Sequence, residues 1–314
     1  MKQLSKQAFS EIRTWVYRNA RQMELALWQY EFEDGGAEAV LSALSFYQND
    51  DGGFGNALEA DCWNPESSPY TTLNAIGTLN SIEFTDISHP VTRGIFKYLE
   101  SGKYFTGEGW LFSIPSNNDY PRAPWWTYDP TANEFEHTGV TLGIICFILR
   151  CAEKNSLLYA TALSLAEKLV NKLQAPDNLG DMGLSGYREL IETLEALDFT
   201  GRFDMGFLTS EVRKRVNAAI VRDASQWGGY RVRPSQFIHS PESPYYAGNE
   251  AIVAEELDYL IDTRPENSVW GITWQWWDNY AKYPKEFAIS ENWWKAVCAI
   301  GELKFLRSFG RLEP

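Results

Sequence analysis

The run Thr138–Cys151 reads TGVTLGIICFILRC, small or apolar at nearly every position until Arg150. Its spacing is helical but it has no polar face, and a helix that is hydrophobic all round must be surrounded by other protein. Trp293–Leu306 (WWKAVCAIGELKFL) reads the same way, whereas Asp204–Arg222 (DMGFLTSEVRKRVNAAIVR) carries exposed charge. Small residues in the enclosed runs, Gly139, Gly143, Ala296, Ala299 and Gly301, permit close helix packing. The alternation predicts an outer helix, then an inner one, repeatedly. Helical periodicity extends over nearly the whole chain and no alternating strand stands out. Helices are predicted near 5–31, 36–48, 69–82, 88–100, 138–152, 157–174, 183–198, 204–222, 245–262 and 290–309, with a short one near 275–284.

The connections are unequal. Outer-to-inner links at 49–68, 101–137, 223–244 and 263–289 are long and rich in glycine, proline and aromatics; the link at 175–182 is the short exception. Inner-to-outer links are only a few residues. If the inner helices run parallel, every long loop falls at one end, beside the inner-helix N-termini. Long loops inside a compact domain are where function concentrates, and these are too aromatic for disorder.

A repeat supports this layout. Asp51-Gly52-Gly53-Phe54 precedes Asn64-Pro65-Glu66-Ser67-Ser68-Pro69-Tyr70, and Gln226-Trp227-Gly228-Gly229-Tyr230 precedes Ser240-Pro241-Glu242-Ser243-Pro244-Tyr245. Gly107-Glu108-Gly109-Trp110 and Trp270-Gly271-Ile272-Thr273-Trp274 are weaker echoes. The glycines allow positive φ, the aromatic fits between helices, and proline pre-sets the first turn of the helix that follows. On this pattern Glu66 and Glu242 are expected to cap inner helices.

Gln48-x-x-x-Gly52-Gly53-Phe54-Gly55 followed by Tyr70-x-x-x-Asn74-Ala75 resembles the repeats of protein prenyltransferase β subunits and squalene-hopene-type cyclases, as does Ser225-Gln226-Trp227-Gly228-Gly229-Tyr230. The resemblance implies an all-α fold, an (α/α) toroid of about six inner and about six outer helices, as a single domain over 1–314 with the helices of 1–35 completing the barrel. It also implies a cavity at one end for an isoprenoid-type substrate. The family's Asp-x-Asp-Asp proton donor is absent, its nearest approximations being Asn49-Asp50-Asp51 and Glu59-Ala60-Asp61. The zinc ligands of the prenyltransferases find only an adjacent Asp61-Cys62, and no Asp-Asp-x-x-Asp occurs. No cofactor is called for, with zinc or magnesium the residual alternative.

Composition narrows the partners. A formal net charge of −14 disfavours nucleic acid or an anionic membrane. No run approaches the length of a membrane-spanning helix, and the N-terminal stretch lacks a signal peptide's apolar segment. Cys62, Cys146, Cys151 and Cys298 lack paired spacing, so a reduced, cytoplasmic protein is expected. Phosphate-binding, zinc-protease and nucleophile-elbow motifs are missing; Gly183-Leu184-Ser185-Gly186 is one residue short of an elbow.

What remains is acidic and aromatic. Asp50 and Asp51 suit the turn itself. Glu59 and Asp61 lie beyond it, where nothing obliges acid, and a Glu-x-Asp pair can raise one carboxyl's pKa to make a general acid. Loop capping is the rival reading. Asp129, before Pro130, is a turn residue with a possible acid role. Tyr120, Arg122, Trp125 and Trp126 form a proline-stiffened aromatic stretch suited to walling a cavity for isoprenoid or sugar, with Arg122 able to meet a diphosphate or carboxylate. Tyr230, Trp274 and Trp276 are further wall candidates. Three functions stay open: an isoprenoid-directed enzyme, a carbohydrate-active barrel with paired carboxylates, and a non-catalytic module holding a peptide, lipid or protein partner. The expected ligand is a small hydrophobic molecule or a sugar.

Overall fold

Serine and proline punctuate this chain into helices. Ser5, Ser68 and Ser156 each accept the backbone N–H three residues on, and Pro69, Pro90, Pro130 and Pro284 occupy first turns, where a missing N–H costs nothing. The computed structural model describes residues 2–175, 179–199 and 201–314. Among them stand twelve α-helices: α1 Lys6–Asn19, α2 Gln22–Phe32, α3 Ala37–Ser45, α4 Pro69–Ser81, α5 Pro90–Glu100, α6 Pro130–Cys151, α7 Leu157–Lys172, α8 Gly180–Ala196, α9 Met205–Ala219, α10 Glu250–Thr263, α11 Trp277–Tyr280 and α12 Pro284–Ser308. Extended pairing among the described residues is confined to isolated bridges. The all-α expectation is met.

Four boundaries differ from expectation, one of them the start of α12 at Pro284 rather than 290. The helix predicted over 5–31 breaks at Ala20 and Arg21, which are extended. Side chains of α12 receive the break: Asn292 Nδ2 donates to Asn19 O at 2.9 Å, and the Arg21 guanidinium lies 4.6 Å over the Trp293 ring. α6 starts at Pro130 rather than 138, because Asp129 caps it through Thr131 N at 2.8 Å. α10 starts at Glu250 rather than 245, so Pro244-Tyr245 does not open a helix. The 175–182 link includes 176–178, which lie outside the described residues.

Backbone contacts divide the chain into two compact units, Leu44–Arg215 and the pair Met1–Ala43 with Val216–Pro314. In the first, α6 is the axis. Every residue from Thr138 to Leu149 is buried, and α4, α7 and α8 pack around it. The helix without a polar face is thus enclosed, as its sequence requires. Gly139 allows the closest approach: a Cβ there would stand 2.4 Å from Met182 Cβ on α8.

In the other unit α12 packs on α1 and α2. It corrects the expectation that Trp293–Leu306 is enclosed on all sides. Ala296, Ala299, Ile300, Leu303 and Leu306 form one buried stripe, with Phe305 buried off it, while Val297 and Gly301 are exposed. The Trp294 and Gly301 positions that helped the run look apolar all round lie off that stripe. The two ends of the chain meet in this unit, with Leu4 N donating to Arg311 O at 2.7 Å and Glu313 N to Leu4 O at 3.0 Å.

The glycine repeats also sort differently in space. Gly52 has φ +90°, and a Cβ on it would fall 2.1 Å from Gly94 O of α5. Phe54 is fully buried, and its N–H donates to Thr72 Oγ1 of α4 at 3.1 Å. The weak echo at 107–110 reproduces this: Gly107 has φ +89°, Trp110 is buried, and its N–H donates to Thr141 Oγ1 of α6 at 3.0 Å. The strong echo does not. Gly228 and Gly229 avoid positive φ, Tyr230 is 57% exposed, and Trp227, three residues earlier, is the buried aromatic. Glu66 and Glu242 cap no helix; the caps are Ser68 for α4 and Asn249 for α10. Gly52→Ala is therefore expected to cost about 1–2 kcal/mol from backbone conformation alone. Gly228→Ala, with no atom within 4 Å of its new methyl, should stay within about 0.5 kcal/mol of wild type. Urea midpoints of the two variants check the contrast.

Candidate functional site

The first long loop is anchored before it reaches its acidic stretch. Gln48 Nε2 donates to Gly52 O at 2.9 Å and to Val91 O at 3.0 Å, and Asp51 Oδ1 accepts Gly53 N at 3.0 Å and Ser67 Oγ at 2.5 Å. Asp51 is therefore a turn residue, and these bonds hold its carboxyl below the usual range despite partial burial. The chain then makes a closed excursion, with Asn56 N bonded to Asn64 O at 3.0 Å and positive φ at Asn56 and Ala57.

That excursion pairs with the second long loop. Ala123 N donates to Asp61 O at 2.8 Å, and Trp63 N to Pro121 O at 2.9 Å. Asn64 Nδ2 adds a bond to Asn117 Oδ1 at 2.9 Å. The pairing brings Trp126 onto Glu59: its Nε1–H donates to Glu59 Oε1 at 3.2 Å. Asn74 Nδ2 of α4 donates to Glu59 Oε2 at 3.1 Å, and Asp61 N to Oε1 at 3.2 Å. Three rings close the site, Tyr70 at 4.2 Å and Phe112 at 4.7 Å from Trp126, and 5.6 Å from each other.

Glu59 is 3% and Asp61 1% exposed. Burial raises the Glu59 pKa and the charge of Asp61 raises it further, while the three N–H donors pull it down; the net position is about 8. Two acids one residue apart in a dry site cannot both ionise cheaply. Cys62, next in line, is pushed up to about 12 by its burial, so its thiol stays protonated. The zinc of the prenyltransferases does not fit here. No group of three His, Cys, Asp or Glu among the described residues converges on a metal position.

The other candidates fall in separate places. Arg122 is buried and donates to Thr127 Oγ1, Asn118 O and Tyr120 O, each at 3.1 Å, so it staples its own loop. Tyr120 and Trp125 are half-buried on the same loop. Asp129 is exposed, and its carboxylate caps α6. Tyr230, Trp274 and Trp276 belong to the other unit. There Tyr230 meets Trp274 at 6.4 Å, Trp274 meets Trp294 at 5.2 Å, and Trp276 is buried 5.9 Å from Phe287. Among the described residues no helix is long and apolar enough to cross a membrane. No family model, curated protein or solved structure matches the chain.

Sequence reasoning missed several partners. Tyr70 and Asn74 lie one turn apart on α4, so a ring for Trp126 and an amide for Glu59 share one helix face; the Tyr-x-x-x-Asn spacing was the available signal. Phe112 had none. In the other unit a charged core also escaped notice. The fully buried Glu256 accepts Ser235 N at 2.8 Å and Ser235 Oγ at 2.6 Å, and Arg233 bridges it at 3.3 Å to Glu302 at 2.5 Å.

Proposed function

We propose that this chain is an acid-acting enzyme of the terpenoid cyclase and prenyltransferase type, taking a hydrophobic, isoprenoid-like substrate. Glu59 is its proton donor and Asp61 the carboxylate that keeps the proton there. The observation that carries this reading is the buried Glu59 carboxyl, protonated through neutral pH and bonded to the indole N–H of Trp126, whose ring packs on Tyr70 and Phe112. A carboxylic acid that passes its proton to an electron-rich carbon leaves a carboxylate on the enzyme and a cation on the substrate. Ring faces stabilise such a cation, by about 2 kcal/mol or more when it is desolvated. The substrate reaches the covered pair only when the Tyr120–Trp126 segment moves aside. We read the helices as an (α/α) toroid over 1–314. In support, α6 is enclosed by its neighbours, and two loops present a glycine turn and a buried aromatic to the threonine of the following helix.

The test is native mass spectrometry and thermal shift with prenyl diphosphates, neutral isoprenoids and oligosaccharides, followed by product analysis. Isoprenoid stabilisation with turnover that Glu59→Gln and Asp61→Asn abolish is the expected result. Stabilisation by oligosaccharides alone would overturn it in favour of carbohydrate chemistry. Binding unaltered by either substitution would remove the pair from the site.

A pH signature follows as well. The folded-state pKa of Glu59 lies above its ordinary value of 4.5, so the native state holds the extra proton between the two. Its contribution to stability is present below about 4.5 and is lost as pH rises through about 8. Glu59→Gln should flatten the fall of the urea midpoint between about pH 5 and pH 9. A variant that falls as steeply as wild type would show that Glu59 is ionised throughout.

A further inference from the structure

A cavity of about 720 Å³ lies in the unit Leu44–Arg215, apart from Glu59 and Asp61. Three elements build it: the loop through Thr106 and Leu111, the first turns of α6 from Pro130 to His137, and the last turn of α7 from Lys168 to Lys172. Its size suits a ligand of several hundred Å³.

The walls are fixed. Asn133 Oδ1 accepts Phe112 N at 2.7 Å and Ser113 N at 3.2 Å, tying the loop to α6. Gly109 lets the same loop press against α6 lower down; a Cβ there would stand 2.6 Å from His137 Nδ1. His137 Nδ1 in turn lies 3.4 Å from Thr141 Oγ1.

Of the four charges on these walls, only two pair with each other. Glu108 and Lys168 pair at 3.5 Å, both largely exposed. Glu134 and Lys172 also line the cavity, and among the described residues neither side chain has a hydrogen-bond or ion-pair partner. Burial, and then the charge of Lys172, hold His137 below its ordinary pKa, with Glu108 opposing. The rest of the lining is the apolar Leu111, Pro130 and Leu169 with the polar Thr106, Asn133 and Asn171.

A ligand with one charge satisfies only half of this. A simple anion would meet Glu134 and Glu108, and a simple cation would meet Lys172 and Lys168. We propose that the cavity binds a zwitterion with an apolar body: an apolar α-amino acid or a dipeptide, its carboxylate on Lys172, its ammonium on Glu134, and its side chain against Leu111, Pro130 and Leu169. The proposal is independent of the reading of Glu59.

His137 is the reporter, one of three histidines in the chain. A carboxylate brought to Lys172 offsets the ammonium that depresses His137, so ligand binding raises the His137 pKa. The experiment is imidazole NMR of the whole protein, titrated with L-phenylalanine and phenylalanyl-leucine, then with their N-acetyl and amide forms. His137→Gln assigns the resonance. The expected result is a saturable shift of His137 alone with at least one zwitterion. Each singly charged form should bind at least about tenfold more weakly, roughly 1.4 kcal/mol. Lys172→Gln and Glu134→Gln should each weaken the zwitterion by a similar factor while leaving the helical circular dichroism unchanged. No saturable shift with either zwitterion overturns the proposal, and so does an N-acetyl or amide form that binds as tightly.

Discussion

Trp126→Ala is expected to destabilise the protein by about 3–5 kcal/mol, the range for emptying a large buried aromatic position. The ring is buried, stacks on Phe112 at 4.7 Å and meets Tyr70 at 4.2 Å. Aromatic pairs of this kind contribute about 0.5–1.5 kcal/mol beyond their area. Its N–H also donates to Glu59. Trp126→Phe separates the two roles. It keeps much of the ring and removes the donor, for a loss of about 1–3 kcal/mol. Denaturant unfolding of both variants reads the difference. An alanine variant within about 1 kcal/mol of wild type would mean that the Tyr120–Trp126 segment is not seated on Glu59 in solution.

Arg233→Leu is expected to cost as much, about 3–5 kcal/mol, because it leaves two carboxylates in the core of the other unit without their cation. Glu256 is fully buried and Glu302 has 12% of its side chain exposed. Burial pushes Glu256 up to about 7 even though Arg233 pulls it down, and it pushes Glu302 up as well. The sign with pH follows. Both acids hold their protons longer in the folded state than in the unfolded chain, so acid conditions favour the native state. Without Arg233 that window extends to higher pH. The loss should thus be small near pH 5 and full near pH 8, in urea midpoints at about those two values. Equal losses at both would show that packing, not charge, is what Arg233 supplies.

How much of this was legible depends on the range of the interaction. The helices follow from periodicity, and α6 announces its enclosure in its own composition. Its early start was also written, in Asp129-Pro130, but the polar PTANEFEH that follows masked it. α12 misled for the opposite reason: Trp294 and Gly301, off a true stripe, imitate a helix without a polar face. The glycine repeat misled through letters alone, since Gly228 and Gly229 need no special conformation whereas Gly107 does. Glu59 and Asp61 were visible as acid with no turn to serve. Their neighbours were not, because the pairing of 61–63 with 121–123 is a contact between distant loops. Glu256 was legible in principle. Ile252, Val253, Glu256, Leu257 and Leu260 share one helical stripe, and a glutamate on that stripe must be buried.

The bonded chain ends have a consequence for the order in which the protein is made. Leu44–Arg215 leaves the ribosome as one continuous stretch and can fold while synthesis continues. The other unit cannot. Its first helices, α1 and α2, wait for α12, and Leu4 waits for Arg311, across almost the full length of the chain. Until α12 is translated, the faces of α1 and α2 that pack on it have no native cover. A nascent chain stalled before α12 should therefore be a chaperone client.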